Sequence, residues 1–423
     1  MSWHLRMFLA MLLALTTAGV LPAAPAQAQS TITYTVTAQG TVYGDLDHFA
    51  RVASETLNDP RGWSLGGALR FDQVASGGNF SLILASPAVV ANAAPGCSSE
   101  WSCRVGRNVY INDQRWRGGT DSWPHGLDLY QRYVILHEVG HWLGLGHRDC
   151  PTPGRTAWVM QQQSISLQGC RANVWPVIAE REQAARNRGV SVNWSAIEAR
   201  YRALGQESGV LGPPITWEKY AGADGGHYQH FAGGYGGGSI YWSPSTGAHE
   251  VYGEIRDRWE ALGWERGVLG YPITGERSTA DGVGRYNAFA GGYGGGSIHW
   301  SPSTGAHETY GEIRDRWEAL GWEQGVLGYP ITGERGTADG VGRYNHFAGG
   351  YGGGSIYWSP STGAHEVYGQ IRDRWESSGW EQGPLGYPVS GEYDVPGGRR
   401  SDFQNGYIRW DRATSTTELV ITG

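Results

Sequence analysis

The chain has 423 residues, 40% of them hydrophobic and only 17% charged, which excludes disorder driven by low hydrophobicity and high charge. A formal net charge of −7 argues against a nucleic-acid binder held by phosphate contacts. Glycine fills 67 positions, 48 of them after residue 192, yet there is no Gly-X-Y period, so collagen is excluded and the length points to two or three folded units.

The first segment reads as a signal peptide. Arg6 precedes an almost wholly apolar run from Met7 to Leu21, and Ala26-Gln27-Ala28 is an A-x-A cleavage signature, so residues 1–28 are expected to be removed after export. The run is short for a ~30 Å hydrocarbon core, and no later stretch reaches the ~20 apolar residues that would span one. The mature protein is therefore expected to be secreted, with no membrane span. Cys97, Cys103, Cys150 and Cys170 all follow this segment. An even count in an exported chain reads as disulfides, and of three connectivities the one joining neighbours, Cys97 to Cys103 and Cys150 to Cys170, is favoured. No C-x-x-C spacing supports a zinc knuckle instead.

Downstream, Thr33–Val42 alternates as a strand and Leu46–Leu57 reads as a helix with Phe49, Val52 and Leu57 on one side. Leu69–Val74, Phe80–Leu84 and Asn108–Ile111 read as further strands. A helix is expected over Leu127–Leu143, with Leu129, Tyr133 and Leu136 on its apolar face.

That helix ends in Leu136-His137-Glu138-Val139-Gly140-His141-Trp142-Leu143-Gly144-Leu145-Gly146-His147. His137 and His141, four apart, project from one helical face. Glu138 is offset by one residue, beside a metal without ligating it. Gly144 can end the helix in a sharp turn, and His147 returns as a third nitrogen donor. Three protein ligands leave a position open for water, as in catalytic rather than structural zinc sites. H-E-x-x-H-x-x-G-x-x-H fixes five positions in eleven, far more specific than the bare H-E-x-x-H.

This is the metzincin signature, and residues 29–176 resemble that clan of zinc endopeptidases, more closely an actinobacterial family of unassigned function carrying the motif. The resemblance implies Zn2+ held by His137, His141 and His147, Glu138 as general base, and a Met-turn at Met160, 13 residues after His147. Some metzincins place a tyrosine ligand two residues beyond that methionine; Gln162 stands there, so no tyrosine switch is expected. The clan's substrate-pairing edge strand maps onto Val109-Tyr110-Ile111, where an ordinary structural edge is an equal alternative.

Residues 177–192 are expected to form a helical linker. From 193 to 423 the chain repeats: Leu211, Leu269, Leu327 and Leu385 lie 58 residues apart, each followed by Gly-x-Pro. Ile197–Tyr201 maps onto Ile255–Trp259, Ile313–Trp317 and Ile371–Trp375. Within a unit, Ile255, Trp259 and Leu262 mark a short helix, with Gly263 as its stop. Tyr286–Phe289 and Ser297–Trp300 read as two strands around the wide glycine loop 291–296. A unit of one helix and a two-stranded element cannot bury a core alone, so neighbours must cover it.

These units resemble LGFP repeats, with Pro213, Tyr271, Tyr329 and Tyr387 in the phenylalanine position. That family is associated with actinobacterial envelope proteins, which implies a cell-wall polysaccharide or peptidoglycan partner. Tyr235, Tyr293 and Tyr351 in the glycine loops, and Trp242, Trp300 and Trp358 on strands, either stack on sugars or form core and inter-repeat contacts. His249, His307 and His365 lack a second imidazole at ligand spacing and read as structural. His230 and His346 have Ala288 as their counterpart, which excludes a shared ligand role.

The fold expected is thus an α+β zincin-like metalloprotease domain followed by four ~58-residue helix/β units, in a propeller-like ring or a stack, the ring being favoured. The function expected is a secreted zinc endopeptidase of protein or peptide substrates, with a wall-associating repeat domain. A non-catalytic wall-binding protein and a peptidase of cell-wall peptides are the alternatives.

Overall fold

The computed structural model describes residues 29–422 apart from 223, 234, 292 and 350. The expected signal peptide lies outside the described residues. Among them, no helix is long and apolar enough to cross a membrane.

The first domain is mixed α/β. Its elements are β1 (Ser30–Gln39), α1 (Leu46–Asn58), β2 (Leu69–Gln73), β3 (Phe80–Ala85), α2 (Pro87–Ala91), β4 (Cys103–Val105), β5 (Asn108–Asn112), α3 (Asp113–Gly118), α4 (Leu127–Trp142) and α5 (Ile178–Arg188). They build one five-stranded sheet in the order β2-β1-β3-β5-β4. All pairs are parallel except β4–β5, which is antiparallel. Strand β3 is apolar on both faces because both are covered. Leu82 and Leu84 enter the main core with α1 and α4, while Ile83 packs with Val90 and Tyr110 on the other side.

Helix α1 starts where the Asp45 carboxylate accepts from the backbone N–H groups of Asp47 and His48, at 2.9 and 3.1 Å. Helix α4 runs through the middle of the domain, with every residue from Tyr133 to Gly140 buried. A helix buried all round has no polar stripe, so its two imidazoles and one carboxylate stand out as polar groups in an apolar setting.

The expected edge strand requires correction. Strand β5 is internal; the edge is β4, whose three residues, Cys103, Arg104 and Val105, are too few for an alternating pattern to be read from sequence. The stretch expected as a linker contains α5, which puts Ala184 and Ala185 into the first domain's core. Both disulfides join neighbours, Cys97 to Cys103 and Cys150 to Cys170.

Each repeat unit is one helix followed by a four-stranded antiparallel meander rather than two strands. The first comprises α6 (Ala196–Ala203), β6 (Lys219–Tyr220), β7 (His227–Phe231), β8 (Gly238–Ser243) and β9 (Gly247–Tyr252). The second has α7 (Gly253–Ala261), β10 (Arg277–Ser278), β11 (Arg285–Phe289), β12 (Gly296–Ser301) and β13 (Gly305–Tyr310). The third has α8 (Gly311–Ala319), β14 (Arg335–Gly336), β15 (Arg343–Phe347), β16 (Gly354–Ser359) and β17 (Gly363–Tyr368). The fourth has α9 (Gly369–Ser377), β18 (Tyr393–Val395), β19 (Gly398–Phe403), β20 (Gly406–Asp411) and β21 (Thr416–Ile421).

Helices α7, α8 and α9 each lie between the sheet that precedes them and the sheet that follows. The cores cross the unit boundaries accordingly: Tyr241 and Val251 of the first unit pack with Trp259, Leu269 and Phe289 of the second. Paired ions clamp each helix to its own sheet, Arg200 to Glu250, Arg258 to Glu308 and Arg316 to Glu366, each with one bond of 2.6 Å. The favoured ring is not what forms. Extended packing joins consecutive units, none joins the first unit to the last among the described residues, and no closed barrel is present. Closure is unnecessary because the first domain caps the front of the array, through Asn193 N–H to Leu65 O at 2.9 Å and Arg171 to Pro214 O at 3.1 Å.

Candidate metal centre

Helix α4 presents His137 and His141 one turn apart, then stops. The N–H of Leu145 donates to Gly140 O at 3.0 Å while Gly144 sits at φ +90°, left-handed backbone that favours glycine. The reversal returns His147 to the first two rings, with centroids 4.5 Å from His141 and 5.3 Å from His137. One nitrogen from each of the three rings lies within 4.8 Å of the others, a grouping able to hold a metal ion.

The ring orientations are fixed from behind. Nδ1–H of His137 donates to Val159 O at 2.8 Å, and Nδ1–H of His141 donates to Leu145 O at 2.9 Å. A carbonyl can only accept, so these contacts assign the proton to Nδ1 and leave Nε2 a bare lone pair on both rings. Burial pushes His137 down to about 3 and His141 down to about 4, with His147 lowered as well. All three are thus neutral, the form that ligates. Nε2 of His141 faces Nε2 of His147 at 3.0 Å. Nitrogens around a four-coordinate zinc stand about 3.3 Å apart, so the donor set and its spacing fit such an ion, which would satisfy the converging lone pairs together.

Glu138 lines the same cleft, about 300 Å³ in volume, with Arg104, Tyr130, Tyr133, Gln162 and the wall of the Cys97–Cys103 loop. Burial pushes its carboxyl up to about 8, opposed by the positive charge of Arg104. Arg104 comes from edge strand β4 and donates to His141 O at 3.0 Å.

Met160 is fully buried beneath the helix. A Cβ placed on Gly140 would lie 2.4 Å from its sulfur, so only glycine lets the thioether approach the backbone between the two helical imidazoles. The segment carrying Met160 is itself held by Glu180 of α5, which accepts from the N–H groups of Val159 at 3.1 Å, Met160 at 2.8 Å and Val177 at 2.9 Å. Tyr133 completes the support, donating to Gln161 O at 2.8 Å. Sequence reasoning missed Glu180 and Arg104. The only local trace of Glu180 was an acidic residue in the first turn of a helix, and nothing in the sequence ties it to residues twenty positions earlier.

The other singled-out residues stay apart from this centre. Nε2 of His249, His307 and His365 each meets a turn carbonyl three residues back, at 2.8, 2.9 and 2.9 Å, a structural bond. Trp242, Trp300 and Trp358 are half-buried against unit cores. Tyr235, Tyr293 and Tyr351 are exposed.

Among known proteins, no curated sequence matches this chain. A crystal structure of archaemetzincin (amzA) from Methanopyrus kandleri is similar at 16% identity and a TM-score of 0.27, over 38% of this chain and 97% of that one. The family described as a protein of unknown function (DUF3152) matches residues 16–190. The family described as LGFP repeat matches residues 211–267, 269–325, 327–383 and 385–423, and the second half of the chain is therefore an array of four LGFP repeats.

Proposed function

We propose that the first domain is a zinc-dependent endopeptidase and that the LGFP array holds it at the cell wall after export. The observation that carries the reading is the meeting of three neutral imidazoles and one buried carboxyl in a single cleft. The metzincin resemblance of the motif from His137 to His147 supports the same chemistry, and the repeats support a cell-surface setting.

His137, His141 and His147 would hold the ion, their second nitrogens anchored by backbone carbonyls so that the rings need no reorganisation. Zinc bound there supplies Lewis acidity toward a carbonyl oxygen and lowers the pKa of water. Glu138 takes a proton from the attacking water onto its carboxylate and returns it to the departing amine. Its carboxyl stands at about 8 with Arg104 already opposing the burial, so ionisation at neutral pH would rest on the positive charge of an ion held beside it. Strand β4 offers its open edge to an extended peptide, placing the scissile bond over the cleft by β-augmentation. Gln162 takes the place beyond Met160 where a tyrosine ligand stands in some metzincins, so the ligand set ends at three.

The test is zinc content together with cleavage of casein and of purified wall peptides. Glu138→Gln should keep one zinc per chain and lose hydrolysis by at least about 100-fold. His141→Ala should lose the metal. Full hydrolysis by Glu138→Gln removes the general base, and metal-free wild type after reconstitution removes the centre altogether.

A further inference from the structure

At three successive junctions of the array the same four side chains meet. Tyr235, Tyr293 and Tyr351 stand 69, 65 and 71% exposed on the glycine loops of the first three units. Each stacks on the last residue of its own sheet: Tyr252, Tyr310 and Tyr368, with centroids 6.2, 6.1 and 6.2 Å apart and planes within 26°. The following unit then contributes a carboxyl and a guanidinium. Tyr252 lies against Glu276 near Arg285. Tyr310 lies against Glu334, whose Oε1 is 3.4 Å from Arg343. The Tyr368 hydroxyl accepts from Arg399 at 2.9 Å, and Arg399 also holds Glu392.

The backbone passes close to the base of each exposed tyrosine. Gly253, Gly311 and Gly369 sit at φ +57, +55 and +53°, and a Cβ on any of them would touch the Cβ of the exposed tyrosine at 3.5, 3.4 and 3.3 Å. In two of the three carboxyls, Glu334 and Glu392, one oxygen is buried with no hydrogen-bond partner. An exposed aromatic face beside donors and acceptors is the chemistry that recognises a sugar ring, apolar on its face and polar at its edge.

The fourth unit shows that the feature is all or none. Its loop between paired residues Phe403 and Gly406 has two residues, against six between Phe231 and Gly238. The strand-end tyrosine becomes Ile421, paired with Gly406. The long loop, its exposed tyrosine and the strand-end tyrosine are all missing from this unit. Equivalent open sites at a regular interval suit a ligand that itself repeats.

We propose that each of the three junctions between consecutive LGFP units is a subsite for one pyranose face of a β-linked wall glycan, with Tyr235, Tyr293 and Tyr351 as the stacking platforms. The proposal rests on the wall association proposed above and names the site responsible. The flanking arginines, partly exposed and held from behind by the buried carboxyls, donate to the ring's hydroxyl groups.

The test is retention of the full mature chain on purified peptidoglycan sacculi, with competition by a soluble β-1,4-linked N-acetylglucosamine hexamer. Each single Tyr→Ala change at 235, 293 or 351 should weaken retention about 5-fold, and the triple change more than about 100-fold, because linked sites act by avidity. Tyr→Phe at the same positions should stay within about twofold, since stacking and not the hydroxyl is used. The substituted rings are mostly exposed, so thermal midpoints should match wild type and exclude misfolding. Wild-type retention by the triple Tyr→Ala chain would overturn the subsites and leave wall association standing. Absence of wild-type retention would overturn both, and retention indifferent to the hexamer would overturn the glycan assignment.

Discussion

Gly140 and Glu180 carry the centre without touching it. Gly140 lies at 2.4 Å, in added-Cβ terms, from the Met160 sulfur and 3.0 Å from Trp63. Gly140→Ala must push one of them aside, and an overpacking cost of about 1–3 kcal/mol is expected in urea denaturation. Glu180 reaches the metal ligands through backbone alone: its carboxyl fixes the N–H of Val159, and Val159 O fixes His137. Glu180→Gln turns one acceptor into a donor facing N–H groups. Zinc affinity, measured against a competing chelator, is expected to fall about 10–100-fold while the fold persists. Unchanged affinity would detach Glu180 from the centre. The three clustered histidines were legible because helical periodicity and one turn glycine place all three within a dozen residues. Glu180 was not, because its role exists only through hydrogen bonds to a segment brought near by folding.

Among the elements, the fourth strand of the first three sheets shows the same limit. Gly305–Tyr310 carries a charged residue at its centre, and Glu308 is tolerated there because Arg258 meets it from α7. Such a partner fifty residues away leaves no local pattern, so β9, β13 and β17 were not read from the sequence. Strand β12 carries another departure. Its His299 replaces the tyrosines 241 and 357 of the neighbouring units, is buried, and has no partner at Nδ1. Burial, reinforced by Arg314, pushes it down to about 3. Its ordinary value is 6.5, so between there and about 3 the unfolded chain binds more protons than the folded one. Stability from this group is full above pH 6.5, drains as pH falls, and levels off below about 3. His299→Tyr should restore the ring packing of the other units and flatten the fall in thermal midpoint between pH 6.5 and 4. An unaltered acid slope would assign that slope elsewhere.

Among the contacts that join the two halves of the molecule is one buried arginine. Arg181 of α5 pairs with Glu198 of α6, donates to Pro60 O at 3.1 Å, and lies over the Trp194 ring at 4.8 Å. Arg181→Met strands Glu198 and removes the contact to Pro60. A loss of about 3–5 kcal/mol is expected, the range for breaking one side of a buried pair. Calorimetry should then resolve two transitions, one for each half, where wild type unfolds with them coupled. A single unshifted transition would show the halves bound by other contacts.

The junctions between units contain no linker. Strand β9 ends at Tyr252 and helix α7 begins at Gly253, and the same abutment recurs at Tyr310–Gly311 and Tyr368–Gly369. Every interior module therefore offers its successor the same docking surface it received from its predecessor. A gene can duplicate or delete one whole period in frame, and the new seam will match the old. Copy number becomes a dial for reach, setting how far the last module stands from the first domain.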